Sequence, residues 1–341
     1  MISRWIVALC IAFTFALAGL GAAFSTPSRA NAPVRNFEFT YLTSIPALPL
    51  GAKTLRIWIP LPQSDPYQAI GGLKIESPFP YVKHRDPEYG NEYVYLQVSA
   101  AQVSSIKEVR MSSQVTRQEH RVELDAHPVS APSAAVDSHG LRRFLEPDRR
   151  VPLQGVIAEL AAQETRGIQD PLEKARAIYN YNYVVATMRY DKSGTGWGNG
   201  DAIWACTAKR GNCTDFHSLF IGMMRSAGIP ARFEIGFPLP ADQHDGSIPG
   251  YHCWAQFYVE PYGWIPVDAS EAWKHPEKKD YFFGAHDDNR LQFTVGRDIR
   301  LDPSQRGDPL NYFIYPYAEL DGKLFAVESK FSFQDRMSSS D

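Results

Sequence analysis

Phe216, Leu219, Phe220, Met223, Met224 and Ala227 place apolar side chains at i, i+3, i+4, i+7, i+8 and i+11. That spacing makes one face of an α-helix. Gly228 and Pro230 end it, since glycine readily takes the left-handed position after a helix and proline cannot continue one. Gly211-Asn212 precede the run as turn residues, so Cys213 sits at or just before the first turn of a buried helix. Unpaired N–H groups and the positive end of the helix dipole stabilise a thiolate there. On position alone, a structural cysteine is the simpler reading.

A second element changes the balance. His252 to Val259 reads as a strand, Glu260-Pro261-Tyr262-Gly263 as a turn, and Trp264 to Asp268 as the returning strand. Cross-strand neighbours lie close enough for a carboxylate to reach an imidazole, so the hairpin predicts that Asp268 meets His252. Alternation along the first strand puts His252, Trp254, Gln256 and Tyr258 on one face and Cys253, Ala255, Phe257 and Val259 on the other. Cys253 is therefore expected to point away from His252, into the core or towards a disulfide partner. A thiol nucleophile needs a base, and the base needs an acceptor that fixes its tautomer. Cys213, His252 and Asp268 offer these roles in chain order.

Three blocks carry a family resemblance. Gly211-Asn-Cys-Thr-Asp-Phe-His-Ser-Leu-Phe220 with Arg225-Ser-Ala-Gly-Ile-Pro-Ala-Arg232, then Tyr251-His-Cys-Trp-Ala-Gln-Phe-Tyr-Val259, then Gly263-Trp-Ile-Pro-Val-Asp-Ala-Ser270 resemble the transglutaminase-like superfamily. The resemblance covers roughly residues 150–300. It implies an α+β, papain-like core, with a nucleophile helix packed on an antiparallel sheet. It also implies Cys213 as nucleophile, His252 as general base and Asp268 as its orienting partner. Val295-Gly-Arg-Asp298 resembles a segment downstream of the triad and is expected to be structural. The animal enzymes have an upstream tryptophan that helps stabilise the oxyanion. Trp197 and Trp204 lie upstream here but not at that spacing, so the backbone N–H of Cys213 or Thr214 is the first candidate donor. No acidic cluster resembles the calcium sites of the animal enzymes, and no cofactor or metal is expected.

Around this centre, His217 lies four residues after Cys213, on the same helix face, as a packing or substrate-contact histidine. Asp215 is a first-turn helix stabiliser. Trp197, Trp204 and Trp254 are candidates for the vicinity of the site, with Thr214. The Gly194–Gly200 loop, the His244-Asp245-Gly246 loop (read as a flap) and Trp273–Phe283 are candidate walls.

The rest of the chain is organised around that core. Residues 1–32 read as a signal peptide: Arg4, an apolar run from Trp5 to Ala23, then Ala30-Asn31-Ala32. The alternative is an uncleaved membrane anchor. Residues 33–125 hold short aromatic and β-branched runs (37–41, 55–59, 93–98, 114–123) separated by proline, glycine and aspartate clusters, which predicts a small all-β, sandwich-like domain before the core. Residues 126–150 have linker composition, 151–300 form the catalytic domain, and 301–341 a C-terminal β extension with a hairpin at Asp321-Gly322. Asp170-Pro171 starts a helix running to about Met188.

At 341 residues the length suits two domains. A net charge of −3 without long single-sign runs leaves no nucleic-acid footprint. Cleavage removes Cys10, so three cysteines remain, and an odd number in an oxidising compartment leaves at least one thiol unpaired. A Cys206–Cys253 disulfide is a candidate that leaves Cys213 free, with a Cys206–Cys213 bridge acting as a redox lock as the alternative. Zinc is disfavoured by irregular cysteine spacing. The expected activity is thiol-dependent acyl transfer on a peptide or protein amide in an exported, periplasmic or secreted protein, hydrolysis being favoured over crosslinking, with association at the cell envelope. A catalytically silent binding or envelope-structural module on the same scaffold is the alternative.

Overall fold

The computed structural model describes residues 32–124, 138–183 and 188–336. The segment read as a signal peptide, apart from Ala32, and the proline- and alanine-rich part of the linker lie outside the described residues. Among the described residues no helix is long and apolar enough to cross a membrane.

In chain order the strands before the linker are β1 (Val34–Ile45), β2 (Thr54–Pro60), β3 (Gln68–Glu76), β4 (Val82–Arg85), β5 (Glu92–Ser99), β6 (Lys107–Gln118) and the short β7 (His120–Arg121). After it come α1 (Ser138–Arg142), α2 (Val156–Glu164), α3 (Pro171–Tyr183), β8 (Arg189–Tyr190), α4 (Ala202–Ala208), β9 (Arg210–Gly211) and α5 (Cys213–Ser226). There follow β10 (Ala231–Pro238), β11 (Asp245–Ile248), β12 (His252–Val259), β13 (Gly263–Val267) and α6 (Ala269–Lys274). The last strands are β14 (Ala285–His286), β15 (Arg290–Val295), β16 (Tyr317–Leu320), β17 (Lys323–Leu324) and β18 (Glu328–Asp335). The architecture is α+β.

Two five-stranded sheets hold the N-terminal strands, in the orders β11-β18-β1-β6-β3 and β17-β16-β2-β5-β4. β1 alternates as an antiparallel strand should, burying Phe37, Phe39, Tyr41 and Ile45. The 301–341 segment completes both sheets: β18 pairs along β1 from Phe37↔Asp335 to Ser44↔Glu328, and β16 pairs with β2. The Asp321-Gly322 turn joins β16 to β17 as expected. The 138–150 part of the linker is helical from Ser138 to Leu145, where α1 runs into a 3-10 turn. The 244–246 loop is not a flap. Asp245–Ile248 pairs as β11 with β18, and His244 Nδ1 stands 3.0 Å from Asp335 Oδ2.

The central antiparallel sheet, in the order β13-β12-β10-β15, carries α5 on one side. Every residue of α5 from Cys213 to Arg225 is buried, and Phe220 meets Phe257 of β12 edge-on at 6.2 Å between ring centres. Phe237 of β10 and Phe293 of β15 pack against Phe39 and Tyr41 of β1 at 5.3–6.2 Å, which fuses the N-terminal strands to the core. Arg225, at the end of α5, is buried. Its guanidinium donates to the Ala231 carbonyl at 2.9 Å and to Asp148 at 2.8 Å, so a charge inside the protein is fully paired. Gly236 is where β15 comes closest to β10. A Cβ there would stand 1.9 Å from the Leu291 carbonyl oxygen.

Candidate active site

α5 begins where a capping box demands. The Asn212 side chain accepts from the Thr214 N–H at 2.9 Å, and the Asp215 carboxylate accepts from the Asn212 N–H at 3.0 Å. Asp215 also accepts from Gly198 at 2.7 Å and Gly200 at 3.0 Å. One buried carboxylate thus both starts the helix and pins the glycine-rich loop beside it. Arg297 of the Val295–Asp298 segment clamps the same loop, donating to the Gly200 carbonyl at 2.8 Å and to Ser218 Oγ at 2.6 Å.

Cys213 therefore lies in the first turn of α5, 2% exposed. His252 starts β12, and Asp268 is the N-cap of α6, its Oδ1 accepting from the Glu271 N–H and from Ser270 Oγ, both at 3.0 Å. The other oxygen of Asp268 is 2.7 Å from His252 Nε2. With Nε2 committed to Asp268, the Nδ1 side of the imidazole is left for the neighbouring Cys213 thiol. Arg290 of β15, buried, adds a third contact to Asp268 at 3.3 Å.

The electrostatics follow from these contacts. Burial pushes the Cys213 thiol up, but hydrogen bonds from Cys253 and His252 and the positive imidazolium outweigh it and hold the thiol well below its ordinary range. Burial opposes the charge on His252, yet the Asp268 carboxylate raises its pKa to about 10. Asp268 is held well below the usual carboxylate range against burial, by His252 first and also by Arg290. The three groups thus favour a thiolate, an imidazolium and a carboxylate in sequence.

His217 sits under the same centre as a neutral base. Its Nε2 accepts the Ala269 N–H at 3.1 Å, which leaves no proton on that nitrogen, and burial lowers its pKa. The 3.6 Å approach of that nitrogen to Asp268 Oδ1 is therefore not an ion pair.

Cys253 departs from expectation. It does lie on the opposite face of β12 from Trp254, but that is the face on which α5 packs, so it points towards the first turns of α5. Its Sγ is 3.6 Å from Thr214 Oγ1 and 3.8 Å from His217 Nδ1. Burial first, then the neighbouring Cys213, pushes this thiol well above its ordinary range. His252 reaches the same thiol because it is the first residue of the strand. The expected Cys206–Cys253 disulfide is not formed: Cys206 lies on α4, Cys253 is held against α5, and all three cysteines among the described residues are free.

The remaining candidates separate. Thr214 is committed twice, its N–H to Asn212 and its hydroxyl to Tyr251 Oη at 3.0 Å, which leaves Cys213 of the two expected backbone donors. The Trp254 ring stands 5.8 Å from His252, tilted 48° to it, and donates to Glu234 at 2.7 Å on the far side of the sheet. Trp197 donates to the Gly194 carbonyl at 3.1 Å within the glycine loop. Trp204 lies on α4 beneath Gly196, with Arg210 over its ring. Sequence reasoning missed Tyr251, Tyr190 and Arg290. Tyr251 was inside the quoted histidine block. Tyr190, pushed up to about 12 by burial and then by Cys213, and Arg290 come from separate elements that no local pattern marks. Among the described residues no group of three or more His, Cys, Asp and Glu is arranged to hold a metal ion.

Residues 158–269 match the profile of the transglutaminase-like superfamily; that span begins in α2, ends at α6 and contains Cys213, His252 and Asp268. Over these residues the chain is similar to the transglutaminase-like superfamily. An uncharacterized protein from Haemophilus influenzae is 28% identical over 350 residues, covering 92% of this chain and 94% of that one. A provisionally assigned cysteine protease from Cytophaga hutchinsonii has a similar solved structure, with a TM-score of 0.63 at 17% identity over 91% of this chain and 92% of that one. The similarity of fold thus extends over the flanking β-strands as well as the transglutaminase-like core.

Proposed function

We propose that this protein is an exported thiol hydrolase that cleaves a peptide or protein amide through Cys213, His252 and Asp268. The observation that carries the reading is the 2.7 Å His252–Asp268 pair, buried beside a thiol in the first turn of α5. In this mechanism His252 holds the proton of Cys213, and the thiolate attacks the amide carbonyl carbon. The Cys213 N–H, at the positive end of α5, faces the developing oxyanion. The imidazolium then protonates the departing amine and a thioester is left. His252 next takes a proton from water, which attacks the thioester and releases the acid and the thiol. An amine in place of water gives crosslinking by the same steps, and the abundance of water favours hydrolysis. Export rests on the charged, apolar and small-residue pattern of residues 1–32.

The test is a substrate trap. Cys213→Ala protein, incubated with cell-envelope extract, is expected to retain peptides or proteins that the unaltered chain cleaves with release of a new amino terminus. Recovery of isopeptide-linked products instead of new termini makes the chain a crosslinking enzyme. Equal turnover by the Cys213→Ala and unaltered proteins removes the thiol mechanism.

A further inference from the structure

A cavity of about 600 Å³ opens between the N-terminal strands and the outer face of the central sheet. That size is ordinary for a small-molecule site. Cys213, His252 and Asp268 do not line it. Gln256, which does, lies four residues beyond His252 along β12, roughly 13 Å at the rise of a strand, with the buried Trp254 between them.

Arg117 of β6 is the unusual wall residue. It is 2% exposed, and its Nε and Nη1 have no hydrogen-bond partner. Its ion-pair partner is Asp65, at a loose 3.8 Å. Across the cavity Arg232 of β10 has an Nε in the same condition, although its Nη2 is 2.9 Å from Glu234 and 3.0 Å from the Gln256 carbonyl oxygen. Two of the side-chain amides nearby, those of Gln256 and Asn91, are spent. Gln256 also donates to Glu234 at 3.0 Å, and Asn91 both donates to and accepts from the Val295 backbone at 2.8 Å. What the two arginines leave unmade is therefore donors only, and buried guanidinium nitrogens call for an anionic acceptor.

Charge narrows the class. Arg232 is matched by Glu234, and Arg117 only partly by Asp65, so the site accommodates one negative charge rather than two. Tyr262 and Trp264 supply flat walls, and Arg232 stacks 4.3 Å over the Trp264 ring. We infer that this cavity is a second ligand site, separate from the thiol centre, that binds a small aromatic monocarboxylate with its carboxylate on Arg117. The inference does not depend on the thiol chemistry proposed above.

Photolabelling tests it, with 4-azidobenzoate as probe and the uncharged 4-azidobenzamide as control, sites being mapped by peptide mass spectrometry. The full chain is expected to take the acid on the 63–67 and 258–264 peptides at least tenfold more than the amide. Arg117→Gln is expected to lower that labelling at least tenfold, and Cys213→Ala to leave it unchanged. Equal labelling by acid and amide, labelling confined to other peptides, or none at millimolar probe overturns the inference. If Arg117→Gln does not fold, the acid–amide comparison on the unaltered chain still decides.

Discussion

Asp268 meets His252 diagonally, not as its cross-strand partner. β12 and β13 pair Ala255 with Val267, so continuing that register would put Ser270, not Asp268, opposite His252. The chain leaves the strand at Asp268 to begin α6, and the carboxylate reaches back 2.7 Å to Nε2. One side chain therefore caps a helix with Oδ1 and holds the imidazole with Oδ2.

Asp268→Asn separates those duties. An amide oxygen still accepts from the Glu271 N–H, but the charge that raises His252 is gone. Activity is expected to fall by ~10⁴-fold, the scale seen when a triad carboxylate becomes an amide, while the protein remains folded. Steady-state kinetics with the substrate found by trapping, alongside far-ultraviolet circular dichroism, check both halves.

The thiol should titrate far from its neighbours. Cys213 is held well below the ordinary thiol range, so it is the first of the three thiols to ionise, whereas Cys206 and Cys253 are pushed up, in both cases by burial first. Iodoacetamide at pH 6 is expected to alkylate Cys213 ahead of the other two, with peptide mass spectrometry as the readout. A raised pKa means that His252 keeps its proton to higher pH. Turnover, which needs the imidazolium as acid, is expected to decline as pH rises through about 10.

Asp215→Ala removes the acceptor for three backbone N–H groups, those of Gly198, Gly200 and Asn212. Leaving these buried donors unmatched should cost about 2–4 kcal/mol, read from the urea midpoint. Limited proteolysis is expected to cut between 194 and 200 sooner than in the unaltered protein.

Gly236→Ala forces a methyl group into the β15 backbone at Leu291. Backbone cannot swing aside as a side chain does, so the loss is expected to be ~3 kcal/mol or more, seen as a lower melting temperature or as failure to accumulate soluble protein.

What was legible in the sequence was local. The period of Phe216 to Ala227, with Gly211-Asn212 as turn residues before it, placed α5, and the alternation of β12 sorted its faces, with Cys253 opposite Trp254. Alternation says which residues share a face, however, not what that face meets. That is why Cys253 was expected far from the thiol it touches. α4 is a seven-residue helix directly after a glycine-rich loop, too short to show a period. β3 contains Gly71-Gly72 in its middle, which reads as a turn until β6 pairs with it through an irregular register. Arg290 and Asp268 meet because β15 lies beside β10 at the far edge of the sheet, a contact with no local signature.

The pairing of β1 with β18 bears on the order of assembly. A chain that emerges amino terminus first can join β1 to β6 early, but one edge of β1 stays open until residue 335 has arrived. Contacts separated by most of the chain make folding slow, and an open strand edge in the meantime is a route to aggregation. Because Phe237 and Phe293 of the central sheet pack against β1, the sheet that carries His252 gains its full support only when the last strand closes. The meeting of Cys213, His252 and Asp268 is thus expected late in folding, and removal of β18 is expected to disturb it.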